Sequence, residues 1–420
     1  MSIFNEIISL GPSVMMPIIF FILALVFRVK IGNAFKSAML VGVGFVGIDL
    51  IVTTLLNSLG PATQDMVQRF GLKFTVVDAG WPTGASIGWA SPLVPLVVAG
   101  AIIVNILMLL LKQTKTVNID IFNYWLLLLP GGMIYYVTNN IVIAFIACMI
   151  MYIIAFIIAD KTAPKIHKMY KMKGVSFVHA TCGVFVPVGI LVNAIIERIP
   201  GLNKINLNPD SITKKLGVLG EPLALATFLG AGLGILAGWD AGHVMKLAVT
   251  VAAVMLLLPK MVGVVVEGVT IVREAAETTL QKKFPGREFY IGMDTALLIA
   301  EPSILATGFL LIPAALILAV ILPGNRMLPF ADLASIVFII SMVAPFCKKN
   351  MFRIFCTGLV ILTITLYGGT ALSEIYTAVA GEANISLPEN VKSQELGNLV
   401  SSYNTPLGWG LIELAKLFGK

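Results

Sequence analysis

The chain alternates between long apolar runs and short polar loops. A helix that crosses a bilayer needs about 20 mostly apolar residues, and the runs predict two sets of five such helices. The predicted spans lie near 12–29, 37–59, 90–111, 122–139 and 141–159, and near 219–239, 244–270, 297–322, 330–346 and 352–372. A short segment near 398–417, with Pro406 and Glu413, is open to interpretation as an eleventh span. The pattern is typical of an all-α polytopic membrane protein with about 10–11 transmembrane helices.

Two polar segments interrupt this pattern, each directly before a long apolar helix. They are DAGWPTGASIGWASPLVPL at 78–96 and YIGMDTALLIAEPSILATG at 290–308. Lipid cannot hydrogen-bond the backbone that glycine and proline leave unpaired, so such segments persist only when packed in protein or lining a watery cavity. Interrupted segments in matching positions of two repeats point to a transport site. We therefore expect interrupted, re-entrant hairpins at 70–90 and 284–303, with the substrate between them.

The two sets of helices align as an internal repeat with an offset of about 210 residues. Lys36 falls over Lys246, and Asn139–Asn140 fall near Asn350. Because each set contains an odd number of spans, the second copy runs through the membrane in the opposite direction. The sequence thus predicts two inverted five-helix repeats.

The basic residues test this topology, because positively charged loops stay in the cytoplasm. With the N-terminus outside and a linker that does not cross, the basic clusters of both repeats fall inside, and the stretch 177–196 is re-entrant or interfacial. These clusters contain Arg28, Lys30, Lys36, Lys112, Lys115, Lys161, Lys165, Lys168, Lys171, Lys173, Arg273, Lys282, Lys283, Arg287, Lys348, Lys349 and Arg353. The predicted units are a first repeat at 1–173, a linker at 174–218, a second repeat at 219–376 and a C-terminal segment at 377–420.

Composition agrees with a membrane protein, since 58% of the 420 residues are hydrophobic and 12% are charged. The formal net charge of +7 lies in short clusters between apolar runs, which favours topology signals over nucleic-acid binding. The start of the chain lacks the features of a cleavable signal peptide, so we expect the first helix to be retained. Four cysteines occur singly and are interpreted as small core residues. The sequence contains no phosphate-loop, zinc-protease or hydrolase motif, and we predict no cofactor, metal or catalytic residue in this chain.

Two carboxylates lie in the second hairpin. Asp294 and Glu301 are seven residues apart, which places them on about the same face if the stretch is helical. A carboxylate at membrane depth costs about 3 kcal/mol or more, so it should face a cavity or a partner. One interpretation is that these groups accept hydrogen bonds from the hydroxyls of a polyol. The other is structural, because Asp294 suits the cap of the following helix and Glu301 precedes Pro302.

The first hairpin supplies Asp78, Trp81 and Thr83 at the corresponding positions. An aromatic face beside carboxylates suits sugar-like ligands, whose C–H faces pack on rings, but Trp81 equally fits an interfacial aromatic belt. Asn123 and Tyr124 begin a predicted span and are candidates for the same cavity. The alternative for Asn123 is an N-cap.

The histidines differ in their surroundings. His167 lies in a basic loop and His243 in a short external turn, and we expect both to be solvated. His179, at the start of the re-entrant or interfacial segment, can donate to and accept from a hydroxyl, and a satisfied buried histidine is the alternative. Lys260 and Glu267 are interpreted as structural, either paired or bridging to the other repeat.

At these residues the chain resembles the galactitol-specific membrane subunits, component IIC, of the bacterial phosphoenolpyruvate-dependent sugar phosphotransferase system. The resemblance covers nearly the whole chain. It is most specific in VVDAGWPTGASIGWASPLVPL, GVSFVHATCGVFVPVGILVNAIIERIPG and FYIGMDTALLIAEPSILATGFLLIP. These subunits are related to the ascorbate-specific type.

The resemblance implies a homodimer in the bacterial inner membrane, with a substrate-binding core domain that moves like an elevator and a dimer-forming domain. It also implies substrate contacts in four segments. These contain Ala79, Gly80 and Trp81, then Asn123 and Tyr124, then His179 and Ala180, and Asp294. The chain departs from the ascorbate type where Asn123 and Tyr124 replace a histidine-containing segment, which is consistent with a neutral polyol in place of an acidic lactone.

The phosphoryl donor implied by the resemblance is a cysteine of a cytosolic IIB protein, with IIB and IIA as separate chains. Basic inner loops suit an acidic surface on IIB. We therefore expect a polyol-translocating subunit, for galactitol above others, embedded in membrane lipid. The main alternative is an ion- or proton-coupled secondary transporter with Asp294 or Glu301 as coupling carboxylate. A second is an intramembrane enzyme that uses Asp294 and His179 as acid and base.

Overall fold

A computed structural model of the chain describes residues 12–71, 74–209, 221–283, 285–329, 331–383 and 395–419, together with 214 and 218. Parts of the predicted linker and of the predicted C-terminal segment lie outside these residues. We call residues 12–209 the first half and residues 221–419 the second half.

The first half consists mainly of helices joined by short turns. They are α1 (Pro12–Val26), α2 (Ile31–Arg69), α3 (Gly80–Ala90), α4 (Val94–Leu110), α5 (Trp125–Thr138), α6 (Ile141–Tyr170) and α7 (Val186–Arg198). The turn between α5 and α6 shows why they end where they do. Asn139 adopts a left-handed conformation with φ of 48°, and the Asn140 side chain accepts the amide N–H groups of Val142 and Ile143. A left-handed C-cap and an asparagine N-cap together reverse the chain.

The second half contains α8 (Pro222–Ala237), α9 (Ala241–Lys283), α10 (Pro302–Ile321), α11 (Ile336–Ile339), α12 (Met351–Ala371), α13 (Ser373–Glu382) and α14 (Pro406–Lys416). Short 3₁₀ helices occur in both halves, at Phe122–Tyr124, Leu202–Lys204, Thr295–Leu297 and Leu333–Ser335. Gly238, with φ of 81°, ends α8 and lets the chain turn back into α9.

Among the residues that the structure describes, five helices are long and apolar enough to cross a membrane. They include Ile141–Tyr170, Pro302–Ile321 and Met351–Ala371, and parts of α2 and α9. Helices α3 and α4 together pass the same test but bend by 93° at the break between them, as a broken span or a re-entrant loop would. The chain is therefore a polytopic, mostly helical membrane protein.

The predicted span at 330–346 is not a continuous helix. Among the described residues of this range, only the 3₁₀ helix Leu333–Ser335 and α11 are helical. The residues after α11 form tight turns in which Ser341 donates to Phe338 and Val343 donates to Ile340. Pro345 has no amide N–H to continue an α-helix. The segment is nevertheless deeply buried, so it is irregular backbone packed inside the protein.

The segment near 398–417 is also shorter than the predicted eleventh span. Helix α14 has 11 residues, which corresponds to about 16 Å. The hydrocarbon core of a bilayer is about 30 Å thick, so α14 is too short to cross it alone. Pro406, at the first position of the helix, sets its start.

The all-α expectation needs one correction, because six short strands in the described part of the chain form two parallel sheets. The strands are β1 (Val76–Asp78), β2 (Thr116–Asn118), β3 (Val175–Ser176), β4 (Tyr290–Gly292), β5 (Met327–Leu328) and β6 (Glu395–Gly397). Their order is β5-β1-β6 in one sheet and β2-β4-β3 in the other. With two or three residues each, they are too short to produce a visible alternation of polar and apolar positions.

Each sheet combines strands from both halves. Strand β1 of the first half lies between β5 and β6 of the second half. Conversely, β4 of the second half lies between β2 and β3 of the first half. The backbone hydrogen bonds of both sheets therefore join the two halves.

The long helices α2 and α9 pack against each other and also join the halves. Glu267 on α9 forms an ion pair with Lys36 on α2 at 3.3 Å, as predicted for a bridge between the repeats. Both side chains are more than half exposed, so the pair contributes little to stability. Lys260, the other residue considered for such a bridge, is exposed.

Candidate functional site

A cavity of about 140 Å³ lies where the carboxyl ends of the two sheets meet. Parallel strands present these ends at one edge, where ligands of open α/β sheets commonly bind. Each of the six strands is followed within a few residues by part of the cavity wall. In strand order, the wall contains Trp81, then Asn123, then His179 and Thr181, then Asp294 and Ala296, then Ser335 and Phe338, then Val400. Phe45 and Ile48 of α2, with Phe122, Trp125 and Leu126, complete it.

Asp294 has one carboxylate oxygen engaged in local structure. Its Oδ1 accepts the amide N–H of Ala296 at 2.8 Å and so caps the short 3₁₀ helix at Thr295–Leu297. Asp294 therefore has the capping role of the structural interpretation, through one of its two oxygens. A carboxylate accepts several hydrogen bonds, and the second oxygen remains available as an acceptor at the cavity wall.

The hydrogen bonds of His179 define its tautomer. Its Nδ1 accepts the amide N–H groups of Thr181 and Cys182, at 3.3 and 3.1 Å. An Nδ1 that accepts carries no proton, so in the neutral ring the proton is on Nε2. His179 is 7% exposed and lines the cavity, and its Nε2 lies 3.8 Å from Sγ of Cys182.

Asn123 is oriented by Asp120, a buried residue that follows β2. The Nδ2 group of Asn123 donates to Oδ2 of Asp120 at 2.7 Å. The amide nitrogen of Asn123 thus faces Asp120, and the amide oxygen is left to accept from the cavity. Asp120 was not among the residues predicted for the site.

Two tryptophan rings form an aromatic part of the wall. Trp81 and Trp125 have ring centroids 6.4 Å apart and planes inclined by 32°. Trp81 is fixed through its backbone, since its amide N–H donates to Oδ1 of Asp332 at 2.7 Å. Aromatic faces of this kind pack against C–H groups of a ligand while its hydroxyls reach the polar wall.

Three further polar groups of the wall are buried without a partner among the described residues. They are Oγ1 of Thr181, Oγ of Ser335 and Nε1 of Trp125. An unpaired buried donor or acceptor costs about 1–3 kcal/mol.

The cavity therefore combines hydrogen-bond acceptors, donors and aromatic faces around a small volume. Its described lining contains one carboxylate, that of Asp294, and no lysine or arginine. Such a wall suits a small, neutral, polyhydroxylated molecule better than an anion.

Four of the nine residues predicted for the site line this cavity: Trp81, Asn123, His179 and Asp294. The other five do not line the cavity. Tyr124 is buried, and its hydroxyl lies 3.0 Å from that of Tyr152. Ala180 is packed in an apolar cluster. Gly80 has φ of 77°, and its N–H donates to Asp78.

Asp78 is occupied by backbone groups. Its two oxygens accept the amide N–H groups of Gly80 at 3.0 Å and Asp332 at 2.8 Å. Glu301 forms an ion pair with Lys349 at 2.9 Å, so its carboxylate also has a protein partner. Both residues are absent from the cavity wall.

Asp332 is the counterpart of Asp120 in the second half. The segments IDIFNYW and ADLASIV align with these aspartates in register, and Ser335 falls over Asn123. In both segments an aspartate precedes a polar residue of the cavity wall by three positions. This spacing was the sequence pattern from which the two aspartates could have been predicted. Thr181 had a weaker signal, since it lies two residues after His179.

Two histidines lie outside the cavity. His243 is exposed, as predicted, and is also paired with Asp240. His167 is half-buried in the last turn of α6, and its Nε2 donates to the carbonyl of Val175 at 2.7 Å. The prediction of a solvated loop residue was wrong for His167 because α6 continues through the basic segment to Tyr170.

The sequence was compared with protein families and with characterised proteins. Residues 6–390 match the family EIIC-GAT, described as the sugar-specific permease component of the phosphotransferase system. The chain is 36% identical over 415 residues to the galactitol-specific EIIC component of Escherichia coli strain K12, covering 98% of this chain and 90% of the relative. The same values hold for the galactitol-specific EIIC component of Escherichia coli O157:H7.

Proposed function

Because the chain belongs to the EIIC-GAT family of phosphotransferase-system permease components, we propose that it binds and translocates galactitol or a closely related polyol. Family membership makes it a multi-pass inner-membrane subunit of a sugar transport system. The substrate is the part we propose. It is the substrate named for the two relatives, and the cavity supports it independently.

The observation that carries the proposal is the cavity wall built from the ends of all six strands. The free oxygen of Asp294 and the amide oxygen of Asn123 accept hydrogen bonds from two polyol hydroxyls. Nε2–H of His179 donates to a third, and the ring of Trp81 covers a C–H face. Asp78, Gly80, Tyr124 and Ala180 lie close to wall residues in the chain and support them, whereas Glu301 is paired with Lys349.

Translocation is coupled to phosphorylation in this proposal. The phosphoryl group comes from a separate IIB protein that is recharged through IIA, and it traps the polyol inside the cell. Family membership does not favour the alternative of an ion-coupled secondary transporter. The chemistry of phosphoryl transfer is then carried by IIB and not by this chain.

The proposed architecture is two inverted repeats. Strand order supports it, since exchanging β1, β2 and β3 for β4, β5 and β6 converts one sheet into the other. The short helices α7 and α14 follow β3 and β6 in the same way. We propose on this basis that each repeat includes the segment after its fifth helix, so that the C-terminal segment is the counterpart of the linker.

An N-terminus outside the cell is part of the same proposal. Thiol labelling from outside intact cells tests it, in a background without the native cysteines. His243→Cys and Lys168→Cys both place a thiol at an exposed position. An impermeant reagent should label His243→Cys and leave Lys168→Cys unlabelled. The opposite pattern would reverse the orientation.

The homodimer and the elevator-like movement of a core domain follow from the family resemblance. Native mass spectrometry in mild detergents tests the dimer, and a monomer under all such conditions would contradict it. Cross-linking of the core to a fixed helix, with and without galactitol, tests the movement. Unchanged cross-linking in every state would count against an elevator.

Uptake of labelled galactitol into membrane vesicles tests the function. Galactitol phosphate should accumulate only when phosphoenolpyruvate and the soluble phosphotransferase proteins are present. Asp294→Asn should weaken galactitol binding about 10–100-fold, because a charged acceptor is lost. Asp240→Asn, at an exposed turn, is the matched control. Accumulation of free galactitol under an ion gradient alone would overturn the proposal.

A further inference from the structure

A second cavity, of about 80 Å³, lies at the other end of the sheet β2-β4-β3. Its wall is formed by the end of α6, the loop before β3, one turn of α9 and the start of β4. The polar and charged residues of this wall are His167, Lys173, Arg273, Arg287, Glu288 and Tyr290. We call the first cavity, lined by Trp81, Asn123, His179 and Asp294, the solute cavity. The two cavities have no lining residue in common.

Three basic loops meet at this end of the sheet. They precede β2, β3 and β4, and in the sequence each belongs to a cluster predicted to lie in the cytoplasm. Parallel pairing of the three strands brings the loops side by side. The shallow surface next to the cavity adds Lys112 and Lys115.

Arg273 has a donor that the protein leaves unused. Its guanidinium donates through Nη1 to the carbonyl of Lys173 at 2.7 Å. Its Nε is buried and has no partner among the described residues. Gly174 allows this arrangement, since a Cβ there would lie 2.9 Å from Cδ of Arg273. Nη2 of Arg273 lies 3.6 Å from Oε1 of Glu274, so Nε is the guanidinium nitrogen without a partner among the described residues.

The charge of the wall is positive even after its internal pairs are considered. Glu288 is its only described carboxylate, and it accepts from Lys115 at 2.7 Å and from Tyr290 at 3.1 Å. The hydrogen bond from Lys115 is the main cause that holds the pKa of Glu288 below its usual range. Its negative charge is thus balanced by Lys115. Arg273 is paired with Glu274 at 3.6 Å, whereas Lys173 and Arg287 have no carboxylate partner among the described residues.

Arg287 also organises the entrance of the cavity. Its guanidinium donates to the carbonyl of Leu109 and, at 3.3 Å, to that of Thr114. Guanidinium groups have five donors and a planar shape that fits phosphate oxygens. Arg287 therefore has donors beyond those that hold the loop.

We propose that the cavity lined by Lys173, Arg273 and Arg287 binds the phosphate group of the phosphorylated polyol before its release into the cytoplasm. This inference rests on the proposed function, because only group translocation produces a phosphorylated polyol here. The solute cavity has no described cation to hold such a group. A dianionic product is therefore better bound at this cavity than at the site where the neutral polyol bound.

Strand β4 connects the two sites. Ile291 lines the second cavity, and Asp294, three residues further along the chain, lines the solute cavity. Extended backbone rises about 3.3 Å per residue, so the chain spans at most about 10 Å from Ile291 to Asp294 and at most about 23 Å from Arg287 to Asp294. The product then moves from the neutral wall to the cationic one.

The test uses the full-length protein in phospholipid-free detergent and measures binding of galactitol, galactitol phosphate and inorganic phosphate. Lys173→Gln should weaken binding of both phosphate probes about tenfold and leave galactitol binding unchanged. Lys168→Gln, an exposed lysine of the same basic segment, is the matched control and should change nothing. Arg273→Lys keeps the charge and removes the Nε donor, and should give an intermediate loss.

Phosphate binding that is equal in Lys173→Gln and the unaltered protein would overturn the inference, as would equal losses in Lys173→Gln and Lys168→Gln. Repeating the assay in nanodiscs distinguishes a lipid headgroup from the product. If anionic lipid displaces galactitol phosphate and zwitterionic lipid does not, the cavity is a lipid site and the product assignment is wrong. Failure of the unaltered protein to bind galactitol would instead contradict the proposed function.

Discussion

Two aspartates in equivalent positions of the halves have different partners. Asp332 is fully buried, and its carboxylate accepts three backbone N–H groups, from Trp81 at 2.7 Å, Leu399 at 3.1 Å and Val400 at 3.0 Å. Asp120 accepts hydrogen bonds from Asn123. Asp332 thus fixes the backbone at Trp81 and at Leu399–Val400. Asp120 sets the orientation of the Asn123 amide in the solute cavity.

Substitution of these two aspartates should therefore have different consequences. Asp332→Ala leaves three buried N–H groups without an acceptor, at about 1–3 kcal/mol each, and should lower the midpoint of thermal unfolding sharply. Asp120→Ala should preserve thermal stability and weaken galactitol binding several-fold, because the Asn123 amide is then free to rotate. Thermal unfolding and binding are measured on both purified variants. Equal loss of stability in the two would contradict this assignment.

The first hairpin approaches α5 more closely than a side chain would allow. A Cβ at Gly88 of α3 would lie 3.1 Å from the carbonyl oxygen of Trp125 and 3.3 Å from the amide nitrogen of Leu129. Both contacts are with backbone, which cannot rotate away. This glycine therefore sets the distance between the segments that carry Trp81 and Asn123.

A larger residue at this position should open the solute cavity. Gly88→Leu is expected to cost about 1–3 kcal/mol through overpacking and to reduce galactitol affinity, because Trp81 moves away from Trp125. Gly232→Leu on α8 is the control, since nothing lies within 4 Å of the position of its Cβ. Binding is measured for both variants after their expression is matched. Unchanged binding in Gly88→Leu would mean that α3 does not set the width of the cavity.

The exchange of strands makes the two halves depend on each other. Strand β1 has hydrogen-bonding neighbours only in the second half among the described residues, and β4 only in the first half. An isolated half would expose the unpaired edges of its short strands, which lipid cannot satisfy. The solute cavity also requires wall residues from both halves.

Expression as two polypeptides, 1–208 and 209–420, tests this dependence. Neither should bind galactitol alone, whereas co-expression should restore binding and allow both to be purified together. Val76→Pro should weaken their association, because it removes the amide that donates to the carbonyl of Arg326 at 3.0 Å. Galactitol binding by 1–208 alone would show that the first half is sufficient.

Local patterns in the sequence predicted much of the fold and part of the site. Apolar runs predicted a polytopic helical membrane protein, and the glycine- and proline-containing segments at 78–96 and 290–308 predicted where the solute cavity lies. Trp81, Asn123, His179 and Asp294 were chosen by residue type and position, and all four meet at one wall. These features depend on short stretches of chain, for which hydrophobicity and the special conformations of glycine and proline are sufficient guides.

Such patterns did not predict contacts between distant segments of the chain. The pairing of β1 with β5 and β6 and the burial of the unpaired hydroxyls of Thr181 and Ser335 arise only after the halves pack together. The irregular segment after α11 has the same origin, because an apolar run that predicts a spanning helix in lipid can lack regular helix when protein surrounds it. Hydrophobicity specifies that a segment is buried, whereas its hydrogen-bonding partners depend on which segments become its neighbours.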